Sequence, residues 1–110
     1  MFSWLFLVSI PVQVFFAGAA VMVNPSWWTF HLDFVHVLEW FPLLMLAFAF
    51  AARLPASLKW MSVAAGILVA AQYALIATRP SFAAAFHVVN ALVIFGLALE
   101  IARRAPSWRA

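Results

Sequence analysis

The stretch HLDFVHVLEW, residues 31–40, decides how this chain is interpreted, because it places two histidines and two carboxylates in an otherwise apolar run. An ionisable side chain inside a membrane span costs roughly 2.5 kcal/mol or more unless it faces the protein interior and finds a polar partner. Such residues mark the first place to look for a functional site. The run AAFHVVNAL is a weaker copy, since His87 and Asn90 repeat the spacing of His36 and Glu39. We expect the two stretches to face each other.

The composition of the whole chain is that of an integral membrane protein. Hydrophobic residues make up 69% of the 110 residues and charged residues 8%, and the mean hydropathy is +1.11, which lies outside the range of soluble domains. The net charge of +3 is explained by basic residues that flank membrane spans, so we expect no nucleic-acid partner. The sequence has no cysteine, which excludes disulfides, thiolate metal sites and cysteine nucleophiles.

The hydrophobic pattern predicts four membrane-spanning helices, because a span needs about 20 apolar residues. Short connections with proline and small polar residues separate the spans, so we expect one all-α domain over residues 1–110, a four-helix bundle with antiparallel neighbours. Pro11 and Pro42 lie inside spans and should bend their helices locally. The helices are expected at approximately 3–23, 30–52, 58–78 and 82–102.

The basic residues predict the orientation of the bundle. With four spans, both termini and the central connection lie on one side of the membrane, and by the positive-inside rule we expect that side to be cytoplasmic. The first segment lacks a basic region before it, so we expect a retained helix rather than a cleaved signal peptide. Tryptophans near the span ends, including Trp108, are expected at the membrane interface. Only Arg79 lies on the opposite side from Arg53, Lys59, Arg103, Arg104 and Arg109.

The two halves of the chain suggest a duplicated helical hairpin. A gapless alignment that superposes His36 on His87 also superposes three further pairs of like or similar residues. Such matches are expected for pseudosymmetric membrane proteins built from repeats. The further aligned pairs are Glu39 with Asn90, Arg53 with Arg104, and Pro55 with Pro106.

Six polar residues within the spans are expected to form one site. Counting helical turns from the span ends gives their depths, and residues three apart share a helix face. The predicted upper layer contains His36, Gln72 and His87, and the layer one turn below contains Gln13, Glu39 and Asn90.

Two imidazoles from different helices at one depth favour axial ligation of a b-type haem, with His36 and His87 as the iron ligands. One alternative is that the polar side chains only hydrogen-bond across the bundle. Another is a zinc or di-metal site that includes Glu39, although the carboxylates are too few for di-iron chemistry. His31 lies about 140° around the helix from His36, so we expect it not to share the same ligand.

The chain resembles a group of small four-helix bacterial membrane proteins of unknown function. The shared pattern is a glutamine motif in the first helix, histidine at the start of the second, glutamine in the third and a histidine–asparagine motif in the fourth. In this sequence these are QVFFAG at 13–18, His31 with His36, Gln72, and HVVNAL at 87–92. The resemblance spans most of the chain and implies the fold; we expect the protein in the bacterial cytoplasmic (inner) membrane.

A more distant similarity is to the haem-binding hairpins of haem A synthase and to four-helix cytochromes of the b561 type. It implies bis-histidine ligation of haem b, here by His36 and His87. Since b561-type proteins carry more histidines for two haems, one haem is the most that this chain could hold.

The function expected from these observations is electron transfer by a membrane-embedded b-type haem protein, with a quinone or a larger membrane complex as partner. One alternative is a non-catalytic accessory subunit of a respiratory or photosynthetic complex. Another is a small transporter or channel, in which Glu39 and the glutamines line a path.

Overall fold

The computed structural model describes residues 1–106, in which every regular element is helical. Four segments are long and apolar enough to cross a membrane, so the predicted all-α, four-span fold is confirmed and the chain is a multi-pass membrane protein. Trp108 and Arg109, used above, lie outside the described residues. The elements are α1 (Phe2–Met22), a 3₁₀ turn (Pro25–Trp27), α2 (Trp28–Leu38), α3 (Trp40–Ala51), α4 (Ala56–Ile76) and α5 (Phe82–Arg104).

The second span is not one helix but two, α2 and α3, which meet at Glu39. Pro42 explains the interruption, because proline has no N–H to donate to the carbonyl four residues earlier and its ring crowds that carbonyl. The carbonyl in question belongs to Leu38, the last residue of α2. The interruption thus lies where Pro42 was predicted to disturb the helix, and it leaves the Glu39 side chain at a helix junction. Pro11, by contrast, lies inside a continuous α1.

The spans form a ring in which each neighbour in space runs antiparallel to the next. Helix α1 contacts α2, α3 and α5, and α4 contacts α3 and α5. Helix α2 is different: among the described residues it contacts α1, α3 and the 3₁₀ turn but neither α4 nor α5. We call the end with the two hairpin connections, 23–27 and 77–81, the hairpin end, and the opposite end the terminal end. The backbone of α2 is thus not packed directly against the second hairpin.

The packed core lies toward the terminal end. Its largest fully buried side chain is Phe6, with 0% exposure. Toward the hairpin end, none of residues 21–37 and 70–93 is fully buried. The loosely packed half is therefore the half that holds most of the predicted site. The core is formed by Phe6, Leu7, Ile10, Leu38, Met45, Ala49, Leu54, Leu58, Ala65, Val69, Ile94, Ala98, Ile101, Ala102 and Ala105.

Candidate functional site

An aromatic cluster fixes the first hairpin and the rotation of α2. The ring of Phe16 lies 6.2 Å from that of Trp27 and 5.8 Å from that of Phe30, and the rings of Trp27 and Phe30 are 5.0 Å apart. Phe34, one turn beyond Phe30, also contacts Phe16, at 5.6 Å. Because residues three and four apart share a helix face, these contacts turn the adjacent His31 toward α1.

His31 and Gln13 join α1 to α2 through two hydrogen bonds. Gln13 Nε2 donates to the His31 carbonyl at 2.8 Å, and His31 Nδ1 lies 3.0 Å from the Gln13 carbonyl oxygen. A carbonyl oxygen can only accept, so Nδ1 carries the proton. In the neutral ring, Nε2 is then the nitrogen with the free lone pair.

The second hairpin has the same arrangement. His87 Nδ1 lies 3.0 Å from the Gln72 carbonyl oxygen, which again leaves Nε2 with the lone pair. Asn90 Nδ2 donates to the Gln72 side-chain Oε1 at 3.0 Å and to the Leu68 carbonyl at 2.9 Å. The structure therefore brings together the predicted site residues Gln72, His87 and Asn90.

The matching histidine–glutamine bonds align the two hairpins differently from the gapless sequence alignment. Glutamine and histidine are 18 residues apart in the first hairpin and 15 in the second, a difference close to one helical turn. By its hydrogen bonds, the counterpart of His87 is therefore His31 rather than His36. The position three residues after His31 is occupied by Phe34, where the second hairpin has Asn90.

The presence of Phe34 in place of an asparagine also explains an unpaired polar atom in the first hairpin. Gln13 Oε1 is buried and has no hydrogen-bond partner among the described residues. Gln72 Oε1, its counterpart, accepts from Asn90. Because phenylalanine offers no donor at the equivalent position, the acceptor of Gln13 is left unpaired.

His31 and His87 occupy corresponding positions on different hairpins, His31 on α2 and His87 on α5. Both are half-buried, and they are close enough to interact electrostatically. The backbones of α2 and α5, which carry them, are not packed directly against each other. We call this region the histidine cleft, defined by Gln13, His31, Gln72, His87 and Asn90.

His36 and Glu39 form a separate polar group with Tyr73. His36 Nδ1 lies 3.4 Å from Glu39 Oε1, so the predicted proximity of these two residues is confirmed. Tyr73 O–H donates to Glu39 Oε2 at 2.5 Å. The side chain of His36 is 68% exposed and contacts Glu39 rather than the second hairpin. Sequence reasoning missed Tyr73, although it is the single tyrosine of the chain and lies in an apolar span.

Comparison with known proteins identifies the family. The chain matches a family of unknown function, DUF6220, over residues 13–79, more than half of its length. The chain belongs to the DUF6220 family. No curated protein and no solved structure matches it. The predicted resemblance to small four-helix proteins of unknown function is thereby confirmed.

The DUF6220 match begins at Gln13 and ends at Arg79, so it includes the bonded residues Gln13 and His31 and the Glu39–Tyr73 pair. It also includes Gln72 but not α5, which carries His87. Within residues 1–106 the structure holds no cluster of three or more histidine, cysteine or carboxylate side chains that could bind a metal ion. The zinc or di-metal alternative built on His36, Glu39 and His87 therefore has no geometric support.

Proposed function

We propose that this DUF6220 chain is a b-type haem protein that transfers electrons, and that His31 and His87 hold the haem in the histidine cleft. The observation that carries the proposal is the matched pair of imidazoles. Each comes from a different hairpin, and each is anchored through Nδ1 to a main-chain carbonyl 3.0 Å away.

The chemistry of these two side chains fits axial ligation. A metal-ligating imidazole characteristically donates its other ring N–H to a carbonyl or carboxylate, which fixes the tautomer and the ring orientation. In His31 and His87 the carbonyl oxygens of Gln13 and Gln72 supply that acceptor, and Nε2 remains for the iron. When bound, a haem supplies one-electron redox chemistry that the side chains themselves lack.

The packing around the cleft also supports a planar ligand. The backbone of α2 is not packed directly against α4 or α5, and residues 70–93 contain no fully buried side chain. A bundle interior is normally close-packed. The separation of these helix backbones, at the level of paired polar groups, supports the proposal that a ligand lies between them.

This proposal replaces one of the two ligands expected from the sequence. His36 is paired with Glu39 at the side of the bundle, so His31 takes its place as the counterpart of His87. Gln13, Gln72 and Asn90 then act as positioning residues, because they orient the imidazoles or each other. Glu39 has no role in ligation in this arrangement.

The proposed setting is the bacterial cytoplasmic (inner) membrane, with both termini in the cytoplasm. The distribution of basic residues supports this orientation, since the terminal end carries Arg53, Lys59, Arg103 and Arg104 and the hairpin end only Arg79 among residues 1–106. The histidine cleft would then lie in the extracytoplasmic half. An electron-transfer partner on that side, or a lipophilic one within the bilayer, could reach it.

An absorption spectrum of the purified protein, oxidised and then reduced with dithionite, tests the proposal. We expect a low-spin haem spectrum in the wild-type chain after expression with ample haem. His31→Ala and His87→Ala should each abolish it, whereas His36→Ala, the matched control, should retain it. Equal haem content in all three variants would refute the assignment.

A ligand exchange separates loss of a ligand from loss of the fold. Methionine can replace one histidine as an axial ligand, and histidine–methionine ligation has a higher reduction potential than bis-histidine ligation. His87→Met should therefore still bind haem but raise its midpoint potential. A colourless wild-type protein would instead favour the accessory-subunit or transporter interpretation, which co-purification with a large complex or flux into liposomes would distinguish.

A further inference from the structure

We infer that a groove between α3 and α4 binds a lipophilic hydroquinone, and that the Glu39 side chain accepts a hydrogen bond from a ring hydroxyl. The groove has a volume of about 310 Å³ and lies outside the histidine cleft. It is a separate site with one polar end and apolar walls. Its lining residues are Glu39, Trp40, Leu43, Gly66, Val69, Ala70 and Tyr73.

The polar end has an acceptor oxygen that can take a further hydrogen bond. Tyr73 O–H donates to Glu39 Oε2 at 2.5 Å, which fixes the carboxyl group. His36 Nδ1 lies 3.4 Å from Oε1, longer than the usual N–H···O distance of about 2.9–3.0 Å. A carboxylate oxygen can accept more than one hydrogen bond. Oε1 is therefore the atom to which a ligand hydroxyl would donate.

The walls suit a flat ring. Gly66, Val69, Ala70 and Tyr73 are spaced by three and four residues, so they share one face of α4. Gly66 has no side chain and Ala70 a small one, while Trp40 and Tyr73 expose 55% and 41% of their surface and offer aromatic faces. The volume is at the lower end of the range for small-molecule sites, about 300–1,000 Å³.

The depth of the groove selects the ligand class. Glu39 lies one residue from the midpoint of the span Pro25–Ala51, so it is near the centre of the bilayer. Phospholipid head groups stay at the interface, whereas a hydroquinone with an isoprenoid tail carries its hydroxyls into the hydrocarbon region. Since an ionisable group at this depth is costly without a partner, a hydroxyl donor also stabilises Glu39.

The role of the hydroquinone as a source of electrons for the haem rests on the proposed function. Its binding to the groove does not. The test therefore uses haem-free protein in phosphatidylcholine nanodiscs, titrated with decylubiquinol while tryptophan emission is recorded. We expect saturable quenching in the wild-type chain and a smaller amplitude in Trp40→Phe, because Trp40 lines the groove.

Three variants decide the binding mode. Glu39→Leu removes the acceptor and should weaken binding about tenfold, the effect of one net hydrogen bond. Ala70→Leu fills the groove without touching the carboxylate and should abolish saturable binding. Glu100→Leu, the matched control, removes a carboxylate that pairs with Arg104 at the terminal end and should leave the affinity unchanged.

The inference is overturned if decylubiquinol shows no saturable binding, or if Glu39→Leu and Ala70→Leu bind as the wild type does. It is also overturned if phosphatidylethanolamine in the nanodisc displaces decylubiquinol, because a lipid head group would then be the occupant. His31→Ala should bind decylubiquinol normally. A colourless wild-type protein that still binds decylubiquinol would refute the haem proposal alone.

Discussion

Replacing Asn90 by leucine should lower the free energy of unfolding by about 1.2 kcal/mol, because it removes two interhelical hydrogen bonds worth about 0.6 kcal/mol each in a membrane bundle. Both bonds cross from α5 to α4: one reaches the Leu68 carbonyl at 2.9 Å and the other reaches Gln72 Oε1 at 3.0 Å. Leucine is close to asparagine in size, so the change creates little cavity. The loss should therefore report the bonds themselves.

A double-mutant cycle with Gln72→Met separates the two bonds. Gln72→Met loses only the bond to Asn90 and should cost about 0.6 kcal/mol, since the main-chain carbonyl that accepts from His87 remains. The double variant loses the same two bonds as Asn90→Leu and should also cost about 1.2 kcal/mol. The expected coupling energy is thus about 0.6 kcal/mol.

Reversible unfolding in bicelles, followed by steric trapping or by titration with a denaturing detergent, measures these free energies. His87→Phe serves as the control, because its bond reaches the Gln72 main chain and should add independently to Gln72→Met. Strict additivity of Asn90→Leu and Gln72→Met would contradict the hydrogen bond between these side chains. A neutral Asn90→Leu would refute both bonds.

Two further predictions concern the first hairpin and the core. Gln13→Met should leave stability unchanged or raise it, because the bond lost to His31 is offset by removal of a buried, unpaired oxygen; a loss as large as that of Gln72→Met would contradict this. Phe6→Ala should cost about 2.4–3.6 kcal/mol, from a cavity of roughly 100–150 Å³ at ~24 cal/mol per Å³. Both are checked by the same unfolding measurement, and a cost below about 1 kcal/mol would show that the site of Phe6 collapses.

The spans were predictable because membrane insertion depends on length and apolarity, which the sequence carries directly. The interruption of the second span was only partly indicated, since Pro42 removes a hydrogen bond just as Pro11 does in α1, which stays continuous. The span ends differ from the predicted ones by about two residues, as helix ends do between methods. These features depend on local chemistry and on the bilayer alone.

The pairing of polar residues was only partly predictable. The proximity of His36 to Glu39 follows from helical spacing, and the cluster of Gln72, His87 and Asn90 follows from depth within one hairpin. The partner of Gln13 could not be found by depth, because His31 and His36 differ by about 140° in direction and only one of them can face α1. The rotation of α2 is set by aromatic packing, which needs the tertiary structure.

The gapless alignment of the two halves was misleading for a physical reason. Besides the polar pairs His36 with His87 and Glu39 with Asn90, it rested on pairs of residues that lie where spans end, Arg53 with Arg104 and Pro55 with Pro106. Basic anchors and turn prolines recur at such positions in any membrane hairpin, so they mark the bilayer boundary rather than shared ancestry of a site. Polar residues that bond across helices report the equivalent positions more directly.

An alignment anchored on the bonds instead shows how the two hairpins differ. Each keeps a glutamine carbonyl that accepts from a histidine Nδ1, but the first has Phe34 where the second has Asn90. Phe34 contributes to the aromatic cluster that orients α2, whereas Asn90 ties α5 to α4. The first hairpin is therefore held by ring packing and the second by amide bonds. Both hairpins contain the glutamine–histidine bond although different interactions hold their helices together. This favours a role beyond helix association for the two imidazoles.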